Sequence, residues 1–540
     1  MNKRTLSVFS AGVIAGAFAL GFNFLLRLAE FAAFPPESAL SFFLKIVPAS
    51  VEEPMVQRFG GLAGQIGLAV ATIIAGVVYG LFAVIFDKFL ARRLVSRSLS
   101  KFEALMVFAL VPWLAFGLLV FPLAGDSVFG IGSTFASSSG VFIFPLSFLL
   151  VQGVFILVFS SRYRLDQSRF GGKSVRQREL TEGSRRDFLE KGTIGALALI
   201  AGVIGLSNLE AFFAPQIQPT GGSSPIDLSG APPIFSDPRL TDLVDSEVTP
   251  NASFYQVDID VFSPSVNASM WSLMVDGLVG NPKSYTLQDL QALPSTSQYT
   301  TLECVSNDIN GDLVSNAKWT GLTIADLLND AGGPLGSATY VVFYSVDGYS
   351  VGIPLSKALM PDSLMVYSMN GQLLPTAHGY PLRALVPGLY GMMSAKWVNR
   401  VSLIDSTYEG YWQTRGWEND AMVNTVSFIV TPETGSEVSL AANNGTIIVG
   451  GYAFAGDRGI SKVEVSFDQG KTWQQAMLKP ALSMDTWVLW AYEWTPSSQG
   501  SQLIYARATD GTGQVQTSTV TQTFPNGATG YAYIEITVGS

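Results

Sequence analysis

Thr301-Leu302-Glu303-Cys304-Val305-Ser306-Asn307 holds the only cysteine of this 540-residue chain, and His378-Gly379-Tyr380-Pro381-Leu382-Arg383 holds its only histidine. The first stretch is followed by Trp319-Thr320-Gly321-Leu322. The second is followed by Val386-Pro387-Gly388-Leu389-Tyr390-Gly391 and Ser394-Ala395-Lys396-Trp397. With one Cys and one His, the chain cannot build a disulfide framework, a Cys-rich zinc or iron–sulfur site, or a bis-His haem.

Outward from these motifs, residues 251–424 alternate short strand-like runs with two helix signals. Tyr285–Leu290 and Leu322–Leu328 each carry a capping Thr followed by apolar residues at helical spacing. Residues 425–540 read as all-β. Runs such as Thr446–Gly450, Ser461–Phe467, Trp487–Trp494 and Leu503–Thr509 are divided by turn signals such as Asp468-Gln469-Gly470. About seven such strands predict an immunoglobulin-like sandwich. Residues 214–250, rich in Pro, Gly, Ser and Asp, read as a linker.

The first 213 residues are of another kind. Only 14% of the whole chain is charged and 48% is apolar, against about 25% charged in ordinary soluble proteins. Long uncharged runs predict five transmembrane helices, near 5–28, 62–86, 104–122, 141–160 and 192–213, since a bilayer core takes roughly 20 apolar residues in helix. Glycines inside them, including Gly12, Gly16, Gly76 and Gly80, suit close helix packing in lipid. Lys and Arg concentrate at the N-terminus, around 88–101 and in 161–191, and are scarce in the intervening loops. That bias places the N-terminus in the cytoplasm and residues 214–540 outside. Residues 1–213 hold 19 Lys and Arg against 13 Asp and Glu, a balance of +6. The rest hold 13 against 29, a balance of −16. Such an acidic outer half does not suit nucleic acid. Ser184-Arg185-Arg186-Asp187-Phe188-Leu189-Glu190, just before the last expected span, resembles a twin-arginine export signal.

As an ordered set, the Cys304 and His378 motifs resemble those of the sulfite oxidase family of molybdopterin-dependent oxidoreductases, over about 255–538. The resemblance implies an α+β molybdopterin domain followed by a dimerisation-type domain, hence a possible homodimer. It implies molybdenum on a pyranopterin, with the thiolate of Cys304 as the protein's metal ligand. Asn307, His378, Arg383, Ser394 and Lys396 match positions that hold the pterin and its phosphate. Tyr349, in Asp347-Gly348-Tyr349, matches the family's active-site tyrosine. Haem, flavin and iron–sulfur clusters are not expected, so electrons would pass to or from a separate partner, a cytochrome or a quinone-linked protein.

One departure bears on substrate. Sulfite-oxidising members follow the cysteine closely with arginine, whereas this chain has Asn307-Asp308-Ile309-Asn310. Asp308 would repel an anion, and a neutral substrate of the sulfoxide type fits better. The alternatives are sulfite oxidation at the same centre, and a cofactor-free surface or adhesion module on the same fold.

Overall fold

The computed structural model describes residues 3–28, 34–47, 62–90, 230–260, 263–441 and 445–539, with a few isolated positions besides. Two compact units result, one from 1–47 with 62–218, the other from 219–259 with 263–540 in the main.

In the first unit, helices α1 (Lys3–Leu28), α2 (Pro35–Ile46) and α3 (Leu62–Ile85) are described. Thr5–Leu25 and Ala63–Lys88 are long and apolar enough to cross a membrane. α1 and α3 touch through their glycines. A Cβ on Gly12 would lie 2.5 Å from the Cβ of Ala83, and one on Gly80 would lie 2.7 Å from Phe9 and Val13. Backbones this close gain dispersion contacts that bulkier residues would block, as in lipid-embedded helix pairs. Phe18, Val70, Ile74 and Leu81 remain exposed on the outside of the pair. The described residues thus supply two membrane-length helices where the sequence predicts five spans. The spans expected at 104–122, 141–160 and 192–213, and the paired Arg185-Arg186, lie outside the described residues. The connection after α1 carries a helix of its own, α2, with Pro35 and Pro36 in its first turn, where a missing N–H costs nothing.

Part of the expected linker is ordered. Residues 233–245 form two short 3-10 turns and helix α4 (Thr241–Asp245). Phe235, Leu240, Leu243 and Val244 are buried there against Ile448, Leu489 and Ala491. The Pro-rich composition hid an apolar face whose burial contributes about 1.5–3 kcal/mol per large side chain.

The next layer contains strands β1 (Leu273–Gly277), β2 (Lys283–Tyr285), β3 (Thr296–Glu303), β4 (Val314–Thr323), β5 (Tyr340–Ser345), β6 (Ser350–Pro354), β7 (Leu364–Met369), β8 (Gln372–Leu373), β9 (Arg383–Leu385) and β10 (Val398–Ile404). They form two sheets, ordered β2-β1-β10-β5-β6 and β3-β4-β7-β8, with β9 pairing on β7. Helices α5 (Leu287–Ala292) and α6 (Ile324–Asp330) begin where the capping threonines predict. Thr286 and Asp289 form a reciprocal capping box, which satisfies two orphan donors of the first turn. A short helix, α7 (Leu355–Ala358), follows β6. A mixed α+β domain is what the sequence predicts here.

From 426 the chain is all-β: β11 (Val426–Thr431), β12 (Glu437–Ser439), β13 (Ile447–Phe454), β14 (Ile460–Ser466), β15 (Gln474–Gln475), β16 (Met477–Leu478), β17 (Val488–Trp494), β18 (Gly500–Asp510) and β19 (Ala532–Gly539). Two sheets, β11-β13-β17-β16 and β12-β19-β18-β14-β15, share a core that includes Val449, Val463, Trp490, Ile504 and Ile534. A buried ion pair, Lys479 Nζ to Glu247 Oε1 at 2.9 Å, ties the segment before the mixed domain to this sandwich.

Candidate functional site

β3 ends at Glu303 and delivers Cys304 to the floor of a cleft. Cys304 is buried, with its N–H donating to the Leu313 carbonyl at 2.9 Å. The cleft encloses roughly 900 Å³, counting the space open to solvent. Of the residues expected at the site, it brings together Cys304, Tyr349, His378, Arg383, Ser394 and Lys396. Asn307 is not on its wall. The Asn307 amide donates to Glu303 Oε1 at 3.0 Å and accepts from the Leu313 N–H at 2.9 Å, so it braces the Cys304 turn from behind.

Three cationic or donor side chains converge at one end. Arg383 starts β9 and is buried. Its Nη1 and Nη2 donate to the carbonyls of His378 (3.2 Å) and Ser394 (3.1 Å), and its guanidinium lies 5.0 Å over the Trp319 ring. Burial lowers its pKa to about 10, so it stays charged at neutrality. Its Nε is buried without a partner among the described residues. Such an orphaned donor costs about 1–3 kcal/mol unless a ligand satisfies it. Lys396 Nζ contacts Asp258 Oδ1 and donates to the Ala377 carbonyl at 3.2 Å. The His378 ring nitrogen Nε2 meets the Asn251 carbonyl at 2.8 Å, and burial drops its pKa to about 4, which leaves a neutral imidazole donating from that nitrogen. Gly379, at φ +108°, lets Arg383 and Lys396 crowd together: a Cβ there would sit 3.0 and 3.1 Å from theirs. Ser394 Oγ accepts from the Val386 N–H at 3.1 Å, which locks the loop that carries Lys396. Of the Gly-rich stretch, Gly391 reaches the cleft, while Gly388 instead accommodates the Asp457 carboxylate.

Another part of the cleft lining comes from the β5–β6 hairpin. Its turn is pinned by the Val346 N–H on the Trp397 carbonyl at 3.0 Å, and it places Asp347 and Tyr349 on the cleft. The Tyr349 hydroxyl donates to the Met392 carbonyl at 2.6 Å, and burial raises its pKa far above that of a free tyrosine. Sequence reasoning missed Phe254, Tyr255, Asp258, Met392, Trp412 and Trp417, all of which line the cleft. Phe254 and Tyr255 lie at the very start of the stretch that carries the resemblance, ahead of its motifs, so no motif singles them out. Asp308 is exposed and does not line the cleft; its carboxylate accepts from the Ile309 N–H at 2.7 Å. The repulsion expected of it has no geometric basis, because the turn after Cys304 points it to solvent.

Among the described residues, no group of three or more His, Cys, Asp or Glu side chains could hold a metal ion. A metal that arrives with most of its ligands, as on a cofactor, needs no such group. Residues 261–412 match the model of an oxidoreductase molybdopterin binding domain, and 417–526 that of a Mo-co oxidoreductase dimerisation domain. Sulfite oxidase of Gallus gallus is 30% identical over 58% of this chain and 79% of its own length. The chain belongs to the sulfite oxidase family of molybdenum-dependent oxidoreductases. Mitochondrial sulfite oxidase of Rattus norvegicus is 30% identical over 53% of this chain and 60% of its own, and sulfite oxidase of Arabidopsis thaliana 28% over 53% and 87%. The chain thus spans about 60% of the length of the rat relative. The second family match begins at 417, ahead of the strand-based boundary at 425.

The residues fit a molybdopterin. A soft thiol, an orphaned guanidinium donor and a second cation line one cleft, a donor set whose chemistry suits a metal and a phosphate ester. Arg pairs with phosphate through a planar fork, and Lys as a point charge.

Proposed function

We propose that this chain is a membrane-anchored, extracytoplasmic molybdopterin oxidoreductase that transfers an oxygen atom to or from a small neutral substrate of the sulfoxide type. The observation that carries it is the single cleft shared by Cys304, His378, Arg383 and Lys396. When bound, molybdenum supplies two-electron oxygen-atom exchange, with Cys304 as its protein ligand. Arg383, Lys396 and His378 hold the pterin and its phosphate, Ser394 fixes their loop, and Asn307 keeps the Cys304 turn in place. Tyr349 positions the substrate from the hairpin wall.

In the direction of reduction, a sulfoxide takes up two protons and two electrons, its S–O bond breaks, and the products are the sulfide and one water. The electrons come from a separate cytochrome or quinone-linked donor. Support for a neutral substrate comes from the cleft wall: Val257, Ile259, Val305, Met392, Trp412 and Trp417 line it. The two cations that line the cleft, Arg383 and Lys396, are assigned in this reading to the pterin and its phosphate, which leaves neither for an anionic substrate. The two membrane-length helices and the Lys/Arg bias support anchoring with the cleft outside. The match at 417–526 supports a homodimer. Sulfite oxidation is the second reading, favoured by the similarity to the sulfite oxidases of rat, chicken and Arabidopsis.

The test is turnover of the detergent-solubilised, molybdenum-loaded protein. Sulfoxide-dependent oxidation of a reduced viologen dye should exceed sulfite-dependent reduction of ferricyanide. The reverse order would overturn the substrate reading.

A further inference from the structure

Asp347 is an acidic side chain on the cleft wall that no cation neutralises in the described structure. The other carboxylate that lines the cleft, Asp258, contacts Lys396. Asp347 occupies the turn between β5 and β6, and one of its oxygens, Oδ1, accepts from the Tyr349 N–H at 3.0 Å. The turn is held on both sides: the Ser345 N–H donates to the Tyr349 carbonyl at 2.9 Å, and Val346 is tied to Trp397. Gly348, at φ +82°, supplies the left-handed residue this tight turn needs. The carboxylate is therefore presented by a rigid hairpin beside Tyr349, not by a mobile loop.

We propose that Asp347 sets substrate charge at this cleft, excluding oxyanions and favouring substrates with a positively polarised sulfur or nitrogen, such as sulfoxides and N-oxides. Two features act together. The carboxylate repels a dianion, an interaction that at the effective dielectric of a partly buried site amounts to roughly tenfold or more in affinity. Trp412, Trp417 and Met392, which line the same cleft, supply apolar, electron-rich groups suited to the positive end of an S–O or N–O dipole. Burial raises the pKa of Asp347 to about 6, which still leaves it charged at neutral pH. The role of Asp308 imagined from sequence passes to a residue 39 positions later in the chain that actually faces the cleft.

This inference rests on the oxygen-transfer reading, and the experiment separates the two. Asp347→Asn keeps an oxygen to accept from the Tyr349 N–H while removing the charge. Sulfate, an unreactive dianion, is titrated calorimetrically into the holoprotein, and kcat/KM is measured for sulfite and for dimethyl sulfoxide. The variant should bind sulfate about tenfold more tightly than the native protein and shift the sulfite-to-sulfoxide ratio by a similar factor. Asp347→Glu should keep the native preference, and Asp308→Asn, which alters a carboxylate off the cleft, should change neither quantity. Sulfate affinity unchanged within twofold in Asp347→Asn, or a shift of equal size in Asp308→Asn, would overturn the assignment. A native protein that prefers sulfite would overturn the sulfoxide reading of the proposed function alone, because the sulfate arm reads Asp347 without turnover.

Discussion

Two sets of residues that line the cleft are built on different principles. One, the floor, is made of buried polar groups: Cys304 at the end of β3, Arg383 over Trp319, and His378 on the Asn251 carbonyl. The other, the wall, is made of a hairpin turn and aromatic side chains, with Asp347, Tyr349, Met392, Trp412 and Trp417 contributed by separate segments. Buried ionisable groups are costly unless something repays them, so the floor tolerates few substitutions and its residues cluster into short motifs. The wall faces a substrate, where many apolar or weakly polar solutions have similar stability. Under the proposed function the floor would hold the cofactor and the wall would meet the substrate.

Substitutions should separate the two, the floor changing cofactor content and the wall changing selectivity. The largest effect is expected for Cys304→Ser, which should abolish turnover; retained activity would show that another group ligates the metal. Next is Arg383→Lys, which keeps charge but loses the fork that grips two carbonyls and presents Nε. Charge-assisted hydrogen bonds of about 1.5–3 kcal/mol correspond to roughly 10–100-fold, so pterin retained after gel filtration should fall steeply, as read by fluorescence of the released, oxidised pterin.

On the wall, Tyr349→Phe removes the hydrogen bond to the Met392 carbonyl. Its loss of about 0.5–1.5 kcal/mol should lower kcat/KM by up to roughly tenfold while molybdenum content stays at the native level. A fall in metal content instead would move Tyr349 to the floor.

The smallest effect concerns pH. His378 titrates near 4 in the folded protein, below the value of about 6.5 for a free imidazole, because burial disfavours its charged form. Between those values the unfolded chain binds the extra proton, so stability rises with pH there and is lost as pH falls from about 6.5 toward 4. His378→Gln should flatten that slope in the melting temperature measured from pH 7 to pH 4. An unchanged slope would mean that other groups govern it.

The same contrast explains what could be read from sequence. The floor was legible because one Cys and one His in the chain fall in ordered motifs with Arg383 and Lys396. The helix starts at Thr286 and Thr323 were legible because capping is a local hydrogen-bond pattern. The wall was not. Trp412 and Trp417 lie far along the chain from Tyr255 and Asp347, outside any strand, and only the folded chain brings them to one cleft. Asp308 misled for the same reason: nearness to Cys304 in sequence does not fix the direction of a side chain after a turn. Asn307 was placed on the cofactor by motif, whereas its amide is committed to Glu303 and Leu313. In the segment before 250, a Pro-rich composition concealed the apolar residues at 235, 240, 243 and 244 that fix it to the sandwich.

The central claim is that the Cys304 cleft holds one molybdenum–pterin centre. The most direct test is elemental analysis of the full chain, purified from a host that makes the cofactor. About one molybdenum per chain, lost together with the pterin in the Arg383 variant, is the result the account predicts. Native protein that is folded and free of molybdenum would contradict it.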